Sequence, residues 1–131
     1  MAKDRTKNDR TTDLGVVRIN NEAITTIASV AALEVNGVHR MGEGAFPKTI
    51  CEILCMKSRP KGIRIQLNES EAKLTVSIIV EYGVDIPRIA DEVQEMVKRA
   101  VERMTGMVLS EVDVIVEGVH HAQNGGKHET H

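Results

Sequence analysis

The stretch GIRIQLNESEAKLTVSIIVEYG, residues 62–83, carries the clearest secondary-structure signal in the chain. Apolar and polar residues alternate over residues 63–67 and again over residues 74–82, where Ile79 is the one apolar residue out of phase. A period of two is typical of a strand that buries one face. With the polar connection at residues 68–71, the stretch predicts a β-hairpin with one buried and one solvent-facing side.

The sequence before this hairpin predicts a strand, a helix, a brief strand and a second helix. Residues 15–19 predict the first strand, and Asn20 stands at the N-cap position of the next helix. The apolar face of that helix recurs at helical spacing, as Ile24, Ile27, Ala28, Ala31 and Val35. Gly37 ends it, residues 38–41 predict the brief strand, and residues 48–56 predict the second helix.

The sequence after the hairpin predicts a long helix and a last strand. Asp85 is placed to cap the helix, Pro87 lies in its first turn, and Gly106 terminates it. Its expected buried stripe consists of Ile89, Val93, Met96, Val97, Ala100, Val101 and Met104. In the last strand, Val112, Val114 and Val116 alternate with Asp113, Ile115 and Glu117.

These elements predict an α+β fold: a small, mostly antiparallel sheet with helices on one face, in the order β-α-(β)-α-β-β-α-β. One-sided strands favour this arrangement over a doubly wound sheet, in which both faces are covered. Residues 14–119 form the expected single domain. Residues 1–13 are an expected flexible charged arm, and residues 120–131, with four of the five histidines, an expected flexible tail.

Composition argues against several classes of function. The net charge of -2 and the pI near 6.2 give no basic excess for a nucleic-acid backbone. Aromatic residues are 2%, only Phe46 and Tyr82, so platforms for stacking bases or sugars are nearly absent. The sequence contains no apolar run long enough to insert in a membrane and no secretory signal in residues 1–13, so we expect a cytoplasmic protein.

Cys51 and Cys55 leave two interpretations open. Four residues apart on a helix, they share one face and could form half of a metal site or a redox pair, with His39 the one further soft ligand outside the tail. As small buried hydrophobes they would need no such role, and this interpretation predicts no metal and no cofactor. The tail histidines, including His120 and His121, could bind zinc or nickel adventitiously, but because no rigid scaffold fixes them we expect no specific metal site there.

The sequence indicates no catalytic site and no small-molecule substrate. No nucleophile elbow occurs, and the carboxylates of Glu92 and Glu95 fit a solvated helix face. Residues 42–44, Gly-Glu-Gly, lack the third glycine of a dinucleotide-binding loop, because Pro47 stands there, and are interpreted as a turn.

Two isoleucines point away from the predicted core. Ile79 and Ile115 fall on the outer sheet face with Arg64 and Ser77, which together define a candidate interaction surface for a second copy or another protein. The alternative is that scattered surface isoleucines carry no function, since exposed apolar residues are common.

The order and spacing of several short segments are similar to the alkaline shock protein family of Gram-positive bacteria, also called the Gls general-stress family. The segments are residues 14–19, 27–38, 61–63, 79–83, 101–106 and 112–119. The resemblance implies a cytoplasmic protein without enzymatic activity, associated with envelope or alkaline stress and recruited in some members to the membrane by a membrane-anchored protein partner. Other members are linked to fatty-acid synthesis through control of acetyl-CoA carboxylase.

The leading hypothesis is therefore a non-enzymatic protein-interaction module in envelope homeostasis that self-associates or docks on a protein partner. Control of fatty-acid synthesis is one alternative. A nucleic-acid-binding module of KH type is another, with Lys57, Arg59 and Lys61 as its basic cluster, although the Gly-x-x-Gly loop of such modules does not occur here.

Overall fold

The computed structural model describes residues 9–44, 62–67 and 71–122, with side chains from residue 13 onward. The elements in chain order are β1 (Asp9–Thr12), β2 (Gly15–Arg18), α1 (Asn21–Leu33), β3 (Val38–Met41), β4 (Ile63–Leu67), β5 (Ala72–Glu81), α2 (Ile86–Thr105) and β6 (Glu111–His120). The fold is α+β with the helices on one face of the sheet, which confirms the predicted class. The helix predicted at residues 48–56 lies outside the described residues.

The strand β5 is the centre of a four-stranded sheet. Along one of its edges β3 and β4 pair with it antiparallel, one after the other, and along the other edge β6 pairs with it parallel. The helix α2 connects β5 to β6, as a parallel neighbour requires a crossover. The predicted hairpin is confirmed as β4 and β5, and the last strand adds the single parallel pairing of this sheet.

One residue of β5 holds the junction between β3 and β4. The Ser77 carbonyl accepts a hydrogen bond from the Gly42 N–H at 2.8 Å, and the Ser77 N–H donates to the Gly62 carbonyl at 2.7 Å. The chain leaves the edge of β5 after β3 and returns to it at the neighbouring position for β4. Residues 43–61 are thus inserted into what would otherwise be one continuous edge strand.

The core lies between the inner face of the sheet and the two helices. The inward residues of β5 that are fully buried are Leu74, Val76, Ile78 and Val80. From α1, the small side chains of Ala28, Ala31 and Ala32 let α2 approach, and α2 contributes Ile89, Val93, Val97 and Val101. Alternation in the strands and helical spacing in the helices therefore predict the core side of each element correctly.

The last turn of α2 departs from the expected stripe. Met104 is 66% exposed, so its prediction as a core residue is wrong. The connection to β6 supplies Met107 and Leu109 to the core instead, and both are buried. Gly106 ends the helix in the left-handed conformation, with φ of 80°, which turns the chain back towards the sheet.

At the N-terminal end, β1 and β2 form a separate two-stranded antiparallel sheet joined by Asp13 and Leu14. The strand β1 lies within the part of the chain expected to be a flexible arm, so that expectation does not extend to Asp9–Thr12. Residues 9–12 form a strand because their backbone pairs with β2, and such cross-strand hydrogen bonds do not require a run of apolar residues. Leu14, Val16 and Val17 are all exposed.

The pair Lys98 and Glu102 fixes the connection between α2 and β6. Glu102 accepts hydrogen bonds from Lys98 Nζ at 2.7 Å and from the Leu109 N–H at 2.8 Å, and Lys98 Nζ also donates to the Leu109 carbonyl at 3.1 Å. The hydrogen bond from Lys98, followed by that from Leu109, holds the pKa of Glu102 below its usual range. Both backbone polar groups of the buried Leu109 are satisfied in this way.

We predict that Glu102→Gln lowers the free energy of unfolding by about 1–2 kcal/mol at neutral pH, because it removes a charged acceptor from two donors. The folded-state pKa is the lower one, so this contribution is present above the ordinary carboxyl range and is lost as the pH falls through the lowered pKa. Urea denaturation of both proteins at about pH 7 and about pH 3 measures the difference, which should shrink on acidification.

The matched control is Glu95→Gln on the same helix, since Glu95 contacts only the exposed Arg99, at 3.7 Å, among the ion pairs of the described residues. This change should stay within about 0.5 kcal/mol of the wild type. Equal effects of the two substitutions would contradict the assigned role of Glu102.

Candidate functional site

The outer face of the four-stranded sheet is the candidate functional surface, because both described helices pack on the inner face. Strand register defines which side chains lie on it. From β3 this is Arg40, from β4 they are Arg64 and Gln66, from β5 Lys73, Thr75, Ser77, Ile79 and Glu81, and from β6 Glu111, Asp113, Ile115, Glu117 and His120.

The four residues predicted for an interaction surface differ in accessibility. Ile115 is 40% exposed, Arg64 is exposed and Ile79 is half-buried. Ser77 is only 1% exposed, so its prediction as a contact residue is corrected. The cause is its position: the Gly42 and Gly62 backbone closes over one side of it, and β6 pairs along the other.

The Glu117 side chain crosses the sheet to the end of β3. Its carboxylate oxygens accept hydrogen bonds from the N–H groups of Glu43 and Gly44, each at 3.0 Å. Gly42 leaves the room for this crossing, because a Cβ at that position would lie 2.6 Å from Glu117 Oε1. Glu117 thus ties β6 to the residues that begin the 43–61 insertion.

We predict that Glu117→Ala speeds hydrogen exchange at the amides of Glu43 and Gly44 by about tenfold, because each loses a charged acceptor. Gly42→Ala should have the same effect by displacing the carboxylate. Exchange measured by NMR at these two amides is the readout.

The control is Glu111→Ala, on the same strand but bonded to Lys73, which should leave both amides unchanged. Slow exchange that persists in Glu117→Ala would contradict the role of this carboxylate in fixing the loop.

Charge is distributed unevenly over the outer face. Basic residues lie on the β4 side and the centre, at Arg64 and Lys73, whereas β6 carries Glu111, Asp113 and Glu117. Lys73 Nζ lies 3.3 Å from Glu111 and 3.4 Å from Asp113. These hydrogen bonds, that of Glu111 first, raise the pKa of Lys73 and hold its side chain towards β6.

Two histidines and a glutamate converge at one end of the same face. His39 Nδ1 lies 3.0 Å from Glu81 Oε2, and His120 Nδ1 lies 3.4 Å from Glu81 Oε1. The two imidazole rings are stacked, with centroids 3.7 Å apart and planes 3° apart. The pKa of Glu81 is lowered, and the largest cause is the hydrogen bond from His39. Burial opposes this shift, and the hydrogen bond from His120 adds to it.

This His39–Glu81–His120 cluster was missed by the sequence reasoning. That reasoning considered His39 only together with the two cysteines. It placed His120 among tail histidines without a rigid scaffold, whereas β6 extends through His120. The Tyr82 N–H donates to the His120 carbonyl at 2.9 Å, which holds the end of the strand against β5. The one available signal was that polar residues occur near the ends of the predicted strands. The sequence does not indicate which strands pair, and so it does not indicate that these residues meet.

Several predicted features lie outside the described residues: Cys51, Cys55, the basic residues Lys57, Arg59 and Lys61, and residues 123–131 of the histidine-rich tail. The interpretation of the two cysteines as buried hydrophobes stays a prediction. Within the described part of the chain, no helix combines the length and apolar composition needed to cross a bilayer.

The described residues thus define a small α+β domain whose two described helices cover one face of the sheet. Comparison with known proteins identifies its family. The model of the alkaline shock protein family, described as having a cell envelope-related function, matches residues 9–121. The chain belongs to this family, which confirms the predicted resemblance.

Similar proteins extend over most of the chain. It is 33% identical over 108 residues to an uncharacterized protein, YqhY, of Bacillus subtilis, which covers 82% of this chain and 79% of that protein. A second uncharacterized protein of the same organism, YloU, is 29% identical over 82% of this chain and 91% of its own length. A stress response regulator gls24 homolog of Streptococcus pyogenes is 25% identical over 78% of this chain and 57% of its own length. No solved structure matches the chain.

Proposed function

We propose that this chain is a non-enzymatic protein-interaction module of a cell-envelope stress response and that it acts by docking through its outer sheet face. The envelope-related function of the family supports the setting, and the stress-regulator name of one relative supports a regulatory rather than a catalytic role. The finer claim, docking through one face, rests on the arrangement of side chains on the sheet.

The observation that carries the docking proposal is the exposed apolar side chain of Ile115 on the outer face, halfway along β6, an edge strand of the described sheet. It is paired with Ser77, at the centre of β5, and lies between Asp113 and Glu117 on its own strand. An exposed isoleucine within a polar rim is the arrangement expected of the core of a small interface. On the inner face α1 and α2 cover most of the described strand residues, although Val119 near the end of β6 is exposed.

The partner we propose first is a second copy of the chain. Arg64 lies on the β4 side of the face and the acidic residues lie on β6, so a two-fold contact sets the Arg64 edge of one copy against the acidic strand of the other. In a two-fold contact the same patch is used twice, so complementary charges on its two sides pair in both halves. Ile115 then lies near the axis.

We predict that Ile115→Asp abolishes self-association, because it places a charge at the centre of the proposed contact. The dissociation constant of the dimer should rise by more than about tenfold. Size-exclusion chromatography with light scattering, over a concentration series of the full chain, measures the molar mass of each variant.

The matched control is Val119→Asp. Val119 is on the same strand and is 46% exposed, but it pairs with the inward-facing Val80 and so lies on the opposite face. This variant should dimerise like the wild type. A wild type that stays monomeric throughout the series, or equal losses in both variants, would show that the outer face is not a self-association surface.

We further propose that the protein works in the cytoplasm and is recruited to the membrane by a protein partner, as the alkaline shock resemblance implies. Because recruitment would use the same face, fluorescent fusions should lie at the cell periphery for the wild type and Val119→Asp. The Ile115→Asp fusion should be dispersed. A dispersed wild-type fusion under envelope stress would count against recruitment.

A further inference from the structure

We propose that His39, Glu81 and His120 form a binding site for a divalent transition-metal ion of the Zn²⁺ class. Among the described residues, this is the group of histidine, cysteine and acidic side chains whose ligand atoms all lie within 4.8 Å of one another. The site is separate from the docking surface around Ile115, so the two proposals stand on different residues.

The backbone of three paired strands holds the ligands in place. Glu81 is in direct register with His120 across the parallel β5–β6 pair. On the other edge of β5, the Glu81 N–H donates to the Gly37 carbonyl at 2.8 Å, two residues before His39. A ligand set carried by hydrogen-bonded strands is positioned before any ion arrives, which lowers the entropic cost of binding.

The distances between the ligand atoms are close to those that a small ion requires. Ligands at about 2.0–2.2 Å from Zn²⁺ in a tetrahedral site are separated from one another by about 3.3–3.6 Å. Each histidine Nδ1 already lies near one carboxylate oxygen, at 3.0 Å for His39 and 3.4 Å for His120. Because all the ligand atoms lie within 4.8 Å of one another, closing the site requires the side chains to draw together by about an ångström.

The main rearrangement concerns the two stacked rings. A metal ion binds in the plane of an imidazole, on the lone pair of its nitrogen, and the planes of His39 and His120 are now 3° apart. Both rings must tilt so that their Nδ1 lone pairs converge on one point. The side chains are 31% and 39% exposed, which leaves them room to do so.

The donor set determines which ions fit. Two imidazole nitrogens and one carboxylate oxygen suit Zn²⁺ and its first-row neighbours, whereas Mg²⁺ and Ca²⁺ prefer oxygen ligands throughout. Without an ion, the Glu81 carboxylate accepts hydrogen bonds from the Nδ1 atoms of His39 and His120. A bound ion replaces both hydrogens with one double positive charge. Three protein ligands also leave a fourth tetrahedral position open.

Titration of the full chain with Zn²⁺, followed by calorimetry, tests the site. We expect one ion per chain, and Gln at any of the three positions should weaken binding by more than about tenfold. Because all three side chains lie on the outer face, His39→Gln, Glu81→Gln and His120→Gln should keep the wild-type circular dichroism. NMR of the wild type gives an independent readout, since the ring resonances of His39 and His120 should shift together on adding Zn²⁺.

The histidines of the C-terminal region provide the controls. His121→Gln removes the neighbour of His120, whose ring contacts Tyr82, and His128→Gln/His131→Gln removes the two histidines nearest the end of the chain. Both variants should bind Zn²⁺ like the wild type. The proposal is overturned if the wild type binds no ion, or if binding survives in His120→Gln and Glu81→Gln but disappears in the double variant. The second result would identify adventitious binding by the tail.

Discussion

The backbone pairing of β5 is the constraint on which the rest of the structure depends. Every other strand of the four-stranded sheet bonds to it, β3 and β4 in succession on one edge and β6 on the other. Its inward side chains are fully buried against both helices. Because a central strand paired on both edges has no free backbone groups to offer, any recognition by β5 must use the side chains of its outer face. The side chains that neighbouring strands place on this face therefore meet around the outward residues of β5, which include Ser77, Ile79 and Glu81.

Irregular pairing between β5 and β6 brings His120 to that face, where His39 already lies because it follows the inward-facing Val38. The pairing of β6 with β5 shifts in register between Ile78 and Ile79 of β5, so that Ile79 pairs with Gly118 and Glu81 pairs with His120. Strict alternation from Val112, Val114 and Val116 would put His120 on the inner side. A matching shift at His39 in β3 lies across from the same stretch of β5. An extra residue in a strand reverses the facing of all later residues in that strand, and bulges frequently re-aim side chains at functional sites.

The sequence contains enough information for the elements and the core, but only part of the candidate site. Alternation predicts the inner faces of β4, β5 and β6, because burial of one sheet face leaves a period-two pattern. The outward positions of Ile79 and Ile115 follow from the same pattern. The His39–Glu81–His120 cluster does not, since it depends on long-range pairing and on the register shift in β6, which leaves no periodic signal. The burial of Ser77 was equally hidden, because it results from the meeting of β3 and β4, which are far apart in sequence around the 43–61 insertion.

The two proposals for the outer face are compatible because one is centred halfway along β5 and the other lies at its C-terminal end. Ile115 pairs with Ser77, and the metal-binding cluster is centred on Glu81, four residues further along β5. At about 3.3 Å per residue, this separation is about 13 Å. A contact centred on Ile115 therefore leaves His39 and His120 at its rim, where the fourth metal position stays accessible. A rim site contributes little to the affinity of such a contact, since energetically dominant residues cluster at the centre. Loss of metal binding should then leave the dimer intact, and loss of the dimer should leave the metal site intact.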